Sequence, residues 1–104
     1  MSDVFAAIAD PTRREILELL RRRGELAAGD LVSRFPSISQ PAVSKHLRVL
    51  RRARLCRVRT MGRRRYYRLE PRALREVDVW VERYRELWRS KLIALKQFVE
   101  EVRP

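Results

Sequence analysis

The polar side chains between residues 39 and 52 have the types and spacing that read base edges in DNA. At about 100° per residue along a helix, they fall on one face and the apolar side chains fall on the other. Glutamine pairs with adenine, and lysine or arginine with guanine, through two hydrogen bonds in the major groove. The predicted DNA-binding residues of this segment are Ser39, Gln40, Pro41, Ser44, Lys45, Arg48 and Arg52.

A second basic group lies at the tip of a predicted β-hairpin. The runs 55–60 and 64–69 are rich in β-prone residues, and Met61-Gly62-Arg63 separates them. Arginines at such a tip reach phosphates or a narrow minor groove. We therefore add Arg63, Arg64 and Arg65 to the predicted DNA-binding residues. The alternative is a hairpin whose arginines are only solvated.

The net charge of +12 is concentrated in the middle of the chain. Residues 31–76 carry 14 basic and 2 acidic side chains, whereas residues 1–30 and 77–104 are almost neutral. Such a field attracts a polyanion, and nucleic acid is the favoured one. A membrane surface is the rival partner, but basic membrane-binding helices carry aromatic side chains opposite the charge, and here most aromatics lie outside the basic block. We predict double-stranded DNA as the partner and no membrane association.

The sequence gives little support for a disulfide, a metal site or an active site. One cysteine and one histidine cannot form an internal disulfide or a structural zinc site. No nucleophile lies beside a base and no glycine-rich loop could hold a phosphate, so we predict neither an enzyme nor a cofactor. His46 is predicted to be a packed, hydrogen-bonded side chain, and Cys56 a small core residue rather than a redox switch.

Start and stop signals place four helices in the first half of the chain. A short helix over 4–9 ends at Asp10-Pro11, and Asp10 caps a second helix that Gly24 closes. A third helix is predicted over about 27–35, and Ser39 caps the fourth. Two short helices joined by a brief turn, the second of them polar and basic, form a helix-turn-helix pattern.

After the hairpin, one long helix is predicted from Glu70-Pro71 to about Val102. Its apolar stripe is wider than one small core would use, which indicates packing against a second copy of the chain. The apolar helix over 4–9 would form part of the same dimer interface. The predicted dimer interface is Val4, Phe5, Ile8, Val77, Trp80, Val81, Tyr84, Leu87, Trp88 and Leu95.

The sequence therefore predicts a mainly α fold with a small β-hairpin: a winged helix-turn-helix with a long C-terminal dimerisation helix. Its 104 residues form a single domain, with dimerisation helices at 1–9 and 72–102, the helix-turn-helix at 27–52 and the wing at 55–69. The sequence has no apolar run long enough to span a membrane and no signal-peptide pattern, so a cytoplasmic location is expected.

Three separated motifs resemble the ArsR/SmtB family of winged-helix bacterial repressors. They are IADPTRREIL at residues 8–17, QPAVSKHLRVL at 40–50 and GRRRYYRL at 62–69. The resemblance implies a homodimer that binds an imperfect palindrome in a promoter and blocks transcription. Arg54 departs from the family, which usually has glycine after the recognition helix.

The same resemblance argues against metal sensing. Many metal-sensing members carry a Cys-x-Cys pair at the start of the third helix, where this chain reads ELAAGDL at residues 25–31. Another family site uses histidines on the last helix, which has none here. The chain thus resembles the metal-free branch, whose members often repress their own operons.

Two alternatives remain open. One is an architectural protein that coats DNA with little sequence preference. The other is a regulator that responds to a redox signal, or to an unidentified small molecule or protein that docks between the long helices around Trp80, Tyr84 and Trp88.

Overall fold

A computed structural model describes residues 3–103, so residues 1, 2 and 104 of the predicted domain lie outside the described part. The predicted class is confirmed: the chain is mostly helical, with a small antiparallel sheet and a long last helix. In order, the elements are α1 (Asp3–Ile8), α2 (Pro11–Arg23), β1 (Glu25–Ala27), α3 (Ala28–Ser33), α4 (Gln40–Arg52), β2 (Cys56–Met61), β3 (Arg64–Leu69), a 3-10 turn (Pro71–Ala73) and α5 (Leu74–Val102).

Helix α2 begins and ends where its local signals predict. Asp10 is the N-cap, and its Oδ2 accepts a hydrogen bond of 3.0 Å from the backbone N–H of Arg13. Gly24 ends the helix with a φ of 81°, and its backbone N–H donates to the carbonyl of Leu20. A positive φ favours glycine, which has no Cβ to clash with the following carbonyl.

Replacing Asp10 tests this cap. We expect Asp10→Ala to lower the free energy of unfolding by about 1 kcal/mol. The hydrogen bond from the Arg13 backbone N–H lowers the pKa of Asp10 below its usual value. The stabilisation is therefore complete above the unfolded-state pKa, near 3.8, and is lost as the pH falls through the folded-state pKa.

Urea unfolding of the wild type, Asp10→Ala and Asp10→Asn at pH 7 and pH 3 measures both effects. Asparagine caps a helix nearly as well as aspartate but does not titrate. Asp10→Asn should therefore keep most of the stability at pH 7 and lose less of it at pH 3. An Asp10→Ala variant as stable as the wild type at both pH values would contradict the cap.

The sheet contains a strand that the sequence analysis did not predict. Residues 25–27 form β1, which pairs antiparallel with β3, so the strand order is β1-β3-β2. The third helix therefore starts at Ala28 and ends at Ser33, rather than covering 27–35. In the hairpin, Met61 pairs with Arg64, and Gly62, with a φ of 64°, begins the two-residue turn.

The end of α4 has the hydrogen bonds of a Schellman motif. The backbone N–H of Leu55 donates to the carbonyl of Leu50 at 2.9 Å, and that of Arg54 donates to Arg51 at 2.9 Å. Arg54 has a φ of 61°, and it is the one non-glycine with a positive φ among residues 3–103. The turn that usually takes glycine is thus built with arginine, at a cost of about 1 kcal/mol.

The core lies between the first four helices and the sheet. Its largest fully buried side chains are Ile16, Leu20, Leu31, Val43, Leu50 and Leu55. Only the first turns of α5 pack against this core, through Leu74 and Val77. The radius of gyration is 19.1 Å, against about 13 Å for a compact chain of this length, because α5 projects away from the rest. No helix within residues 3–103 is long and apolar enough to cross a membrane.

Candidate nucleic-acid interface

Helix α4 separates its two faces as the sequence predicts. Ser39 caps it, with its side-chain oxygen accepting a hydrogen bond of 3.2 Å from the backbone N–H of Ala42. Val43, Leu47 and Leu50 are buried in the core. The predicted DNA-binding residues on α4 are all exposed, namely Gln40, Pro41, Ser44, Lys45, Arg48 and Arg52. The helix therefore presents a polar, basic face that no other part of the described chain covers.

The first turns of α4 and the wing line one groove of about 340 Å³. The residues that line it include Gln40 and Ser44 of α4, Arg65 of β3 and Gly29 of α3. A neighbouring groove of about 380 Å³ brings Arg63, Arg64 and Arg65 against the first turn of α3. The fold thus places five of the ten predicted DNA-binding residues around two adjoining grooves.

The other predicted residues occupy different positions on the same helix. Lys45 and Arg48 are exposed on α4 and line neither groove, so they extend the basic surface along the helix axis. Arg52 lies one turn further on and lines a cavity with Asp3 and Glu76, where α1 and α5 meet. It is therefore the predicted residue furthest from the wing arginines along the helix.

An ion pair between Arg59 and Glu25, which the sequence did not predict, stabilises the wing. Nε and Nη2 of Arg59 donate to the two carboxylate oxygens of Glu25 at 2.9 and 2.7 Å. The same guanidinium lies 5.1 Å from the centroid of the Tyr66 ring. The hydrogen bonds from Arg59 lower the pKa of Glu25. Because Glu25 belongs to β1 and Arg59 to β2, the contact spans all three strands.

Arg13 is a second residue whose importance only the structure reveals. Its guanidinium donates to the carbonyls of Ala7 and Ala6, at 2.7 and 3.1 Å, where α1 ends. Its Nη1 lies 3.2 Å from Nδ1 of His46 on α4. The predicted packed, hydrogen-bonded histidine is confirmed, with Oδ2 of Asp10 3.9 Å from the same nitrogen. Arg13 thus connects α1, α2 and α4.

Cys56 is buried, as predicted, with 4% of its surface exposed. Burial raises the pKa of its thiol to about 11, although Arg51 acts in the opposite direction. Since the thiolate is the reactive form, this thiol is a poor redox sensor in the folded chain.

Alkylation tests the state of this thiol. With the pKa at about 11, the thiolate fraction at pH 7.5 is about 100-fold below that of a cysteine with a pKa near 9. We expect iodoacetamide to modify the native chain at least about 100-fold more slowly than the chain unfolded in urea, as followed by mass spectrometry. Equal rates in the two states would show that the thiol is exposed.

Helix α5 leaves most of its apolar stripe uncovered. Trp88 and Leu95 are 65% and 58% exposed, and Leu87, Leu92 and Phe98 are similarly open. The opposite face is polar, with Asp78 and Glu82 paired to Arg85 and with Glu86 paired to Arg89. The apolar stripe and the ion-paired side chains therefore occupy different faces of α5.

The predicted interface residues nearer the start of α5 are partly used within the chain. Val4 is 4% exposed and packs in the core, while Ile8 and Val77 pack against it. The Phe5 ring meets the edge of Trp80, with centroids 5.7 Å apart, and Trp80 lies 5.0 Å from Tyr84. Val81 is half-buried. These contacts fix α1 on α5, whereas the distal residues Leu87, Trp88 and Leu95 remain exposed.

Among residues 3–103, no group of three His, Cys, Asp or Glu side chains is placed to hold a metal ion. The carboxylates of Asp78, Glu82 and Glu86 lie along the polar face of α5, where arginines pair with them.

Comparisons with known proteins agree with this architecture. Residues 8–59 match a family model described as a helix-turn-helix domain. The transcriptional repressor SdpR of Bacillus subtilis is 41% identical over 81 residues, which cover 78% of this chain and 88% of SdpR. The HTH-type transcriptional regulator Rv2034 of Mycobacterium tuberculosis is 42% identical over 92% of this chain and 85% of its own length. A crystal structure of an ArsR family transcriptional regulator superposes with a TM-score of 0.74 at 33% identity, covering 85% of this chain and 89% of that one.

Proposed function

The chain belongs to the ArsR family of winged helix-turn-helix transcriptional regulators, which are DNA-binding proteins and not enzymes, and from this premise we propose that it is a homodimeric repressor of an inverted-repeat operator. The observation that carries the proposal is the placement of Gln40, Ser44 and Arg65 around one exposed groove. A base edge and its flanking phosphate would meet helix and wing together there.

The uncovered stripe of α5 supports the dimer. Trp88, Leu95 and their neighbours form an apolar surface along a projecting helix of 29 residues, about 43 Å long. A surface of this size on an isolated chain marks an interaction site. A second copy is the simplest partner, because a two-fold axis lets the same stripe cover itself.

The dimer determines how DNA is bound. Two copies of α4 would enter successive major grooves about 34 Å apart on one face of the duplex. Gln40, Ser44, Lys45 and Arg48 would contact bases, while Ser39, Pro41, Arg52 and the wing arginines would contact the flanking backbone. Repression follows if the operator overlaps a promoter.

We further propose that the usual metal sites of the family do not regulate this protein. The segment 25–31 has no cysteine, and α5 has no histidine. Soft divalent metals need thiolate or imidazole ligands of this kind. Zinc should therefore leave the affinity for the operator unchanged.

Selection from a random-duplex library at near-physiological salt tests the proposal, with the mass in solution measured alongside. A dimer that recovers an inverted repeat would support it and identify the operator. A specific repressor should prefer its site by about 10³ or more over random DNA. Uniform recovery without a motif would favour an architectural protein instead.

A further inference from the structure

We propose that a cavity between the end of α4, the start of β2 and the 3-10 turn binds a small phosphate-bearing anion, apart from the DNA surface. The cavity has a volume of about 630 Å³, and its walls carry Arg51, Arg54, Arg57 and Arg72. Small-molecule sites commonly measure about 300–1,000 Å³. The proposal goes beyond DNA binding because it concerns a separate ligand.

The charges around this cavity are unbalanced. Four arginines line it and Glu70 supplies one carboxylate, whose Oε2 lies 2.9 Å from Nε of Arg57. The side chains of the other three arginines have no ion pair or hydrogen bond within residues 3–103. Their mutual repulsion would be relieved by a bound anion. Guanidinium forks match the oxygens of phosphate in two-bond geometry.

The backbone of Arg54 is an independent indication that this guanidinium is used. Arg54 has a φ of 61°, which an L side chain adopts only at a cost, whereas glycine adopts it freely. Residues held in this region of backbone space cluster at ligand-binding and other functional sites. Arg54 therefore places a charged side chain on the cavity wall, at a turn where glycine would fold more easily.

The location of the cavity separates it from the proposed DNA contacts on the first turns of α4 and at the wing tip. Arg52, which lines a neighbouring cavity together with Arg54, is the proposed DNA contact nearest to it. Along α4, Arg51 follows Gln40 by about 16 Å, and the cavity end of β2 lies about 16 Å from the wing tip. A duplex contacting the first turns of α4 and the wing tip would therefore not need the cavity.

The walls also indicate the kind of ligand. Val58 and Ala73 add apolar surface beside the arginines. A phosphorylated organic molecule would fit both the basic and the apolar parts of the cavity, with its phosphate on the arginines and its organic part on the apolar surface. Such a ligand would touch the end of α4, the base of the wing and the turn that leads into α5.

Calorimetric titration of the full chain with pyrophosphate, with sodium chloride of equal ionic strength as reference, tests the proposal. We expect saturable binding, with amide NMR shifts confined to residues 51–58 and 70–73. Arg54→Gly should weaken binding at least about tenfold while keeping the wild-type circular dichroism and a urea midpoint no lower than that of the wild type, because glycine suits the backbone there. Arg54→Lys should lose less, since it retains the charge.

Arg103→Ala is the matched control, because it removes one exposed arginine from the far end of α5. Absence of saturable binding would overturn the proposal. So would equal weakening by Arg54→Gly and Arg103→Ala, which would show only a response to net charge. Loss of pyrophosphate binding in the presence of a saturating operator duplex would also overturn it, since the arginines would then be DNA contacts. The titration without DNA does not depend on the proposed repressor function, so each can fail alone.

Discussion

A Trp88→Glu, Leu95→Glu double variant is expected to be a monomer and to bind the operator about 10³-fold or more weakly than the wild type. Both side chains lie on the uncovered stripe of α5, far from α4 and the wing. A carboxylate in a desolvated apolar interface costs several kcal/mol when it has no partner. Without the dimer, one α4 reads one half-site, and the base contacts of the other half-site are lost.

Sedimentation and fluorescence anisotropy would measure the mass and the affinity for the operator. A Ser90→Glu, Gln97→Glu double variant is the matched control, because it adds the same two negative charges to the polar side of the same helix. It should leave both quantities unchanged. The stability of the double variant should also stay close to that of a wild-type protomer, since neither side chain packs within the chain. A double variant that is still dimeric would show that the stripe does not form the dimer interface.

The capped helices were predictable because their signals are local. Asp10 and Pro11 start α2, and Ser39 starts α4, through hydrogen bonds that span only a few residues. Nothing distant in the chain is needed to form them. For the same reason the apolar and polar faces of α4 could be assigned from spacing alone.

The β1 strand could not be predicted in the same way. Residues 25–27 are too few to show an alternation of apolar and polar side chains, and they become a strand only because the edge of β3 offers them partners. The ion pair of Arg59 with Glu25 depends on that pairing and joins residues 34 positions apart. It is a tertiary contact that the separate patterns of β1 and β2 do not contain.

The same distinction applies to Arg13 and to the arginine cavity. In the sequence, Arg13 is one basic residue in a helix-start motif, and its role emerges only when α1 and α4 reach it from two sides. The arginines from residue 51 to 57 appear only as part of the basic block. Arg72 reaches them because the chain returns after the hairpin, where the backbone N–H of Glu70 donates to Leu55 at 2.8 Å. Charge can be counted in a sequence, but its convergence on a cavity requires the fold.

Arg48→Ala and Arg64→Ala should weaken DNA binding in two different ways, although each removes one exposed arginine. Arg48 lies on the exposed face of α4, and an arginine that pairs with guanine contributes about 1–3 kcal/mol of discrimination. Its loss should lower the affinity for the operator by about tenfold or more per half-site. Affinity for random DNA should change much less, so the preference for the operator falls.

Arg64 lies at the wing tip, where phosphates are the expected partners. Its loss should weaken binding to operator and random DNA alike. Each lost phosphate contact reduces the slope of log K against log salt by about 0.9, so a dimer that loses two contacts should show a slope lower by about 1.8. Arg65 borders the groove of Gln40 and Ser44, which makes Arg64 the cleaner test of the phosphate role.

Anisotropy titrations on operator and random duplexes at four or five salt concentrations separate these effects, with Arg103→Ala as the charge-matched control. For each variant, the salt dependence of binding reports the number of phosphate contacts. The ratio of the affinities for operator and random DNA reports the base preference. If Arg48→Ala changed only the slope, α4 would be bound to the backbone and the recognition helix would have been assigned wrongly. If Arg64→Ala changed only the preference, the wing would be reading sequence, because a contact to phosphate alone carries no information about the base pair beside it.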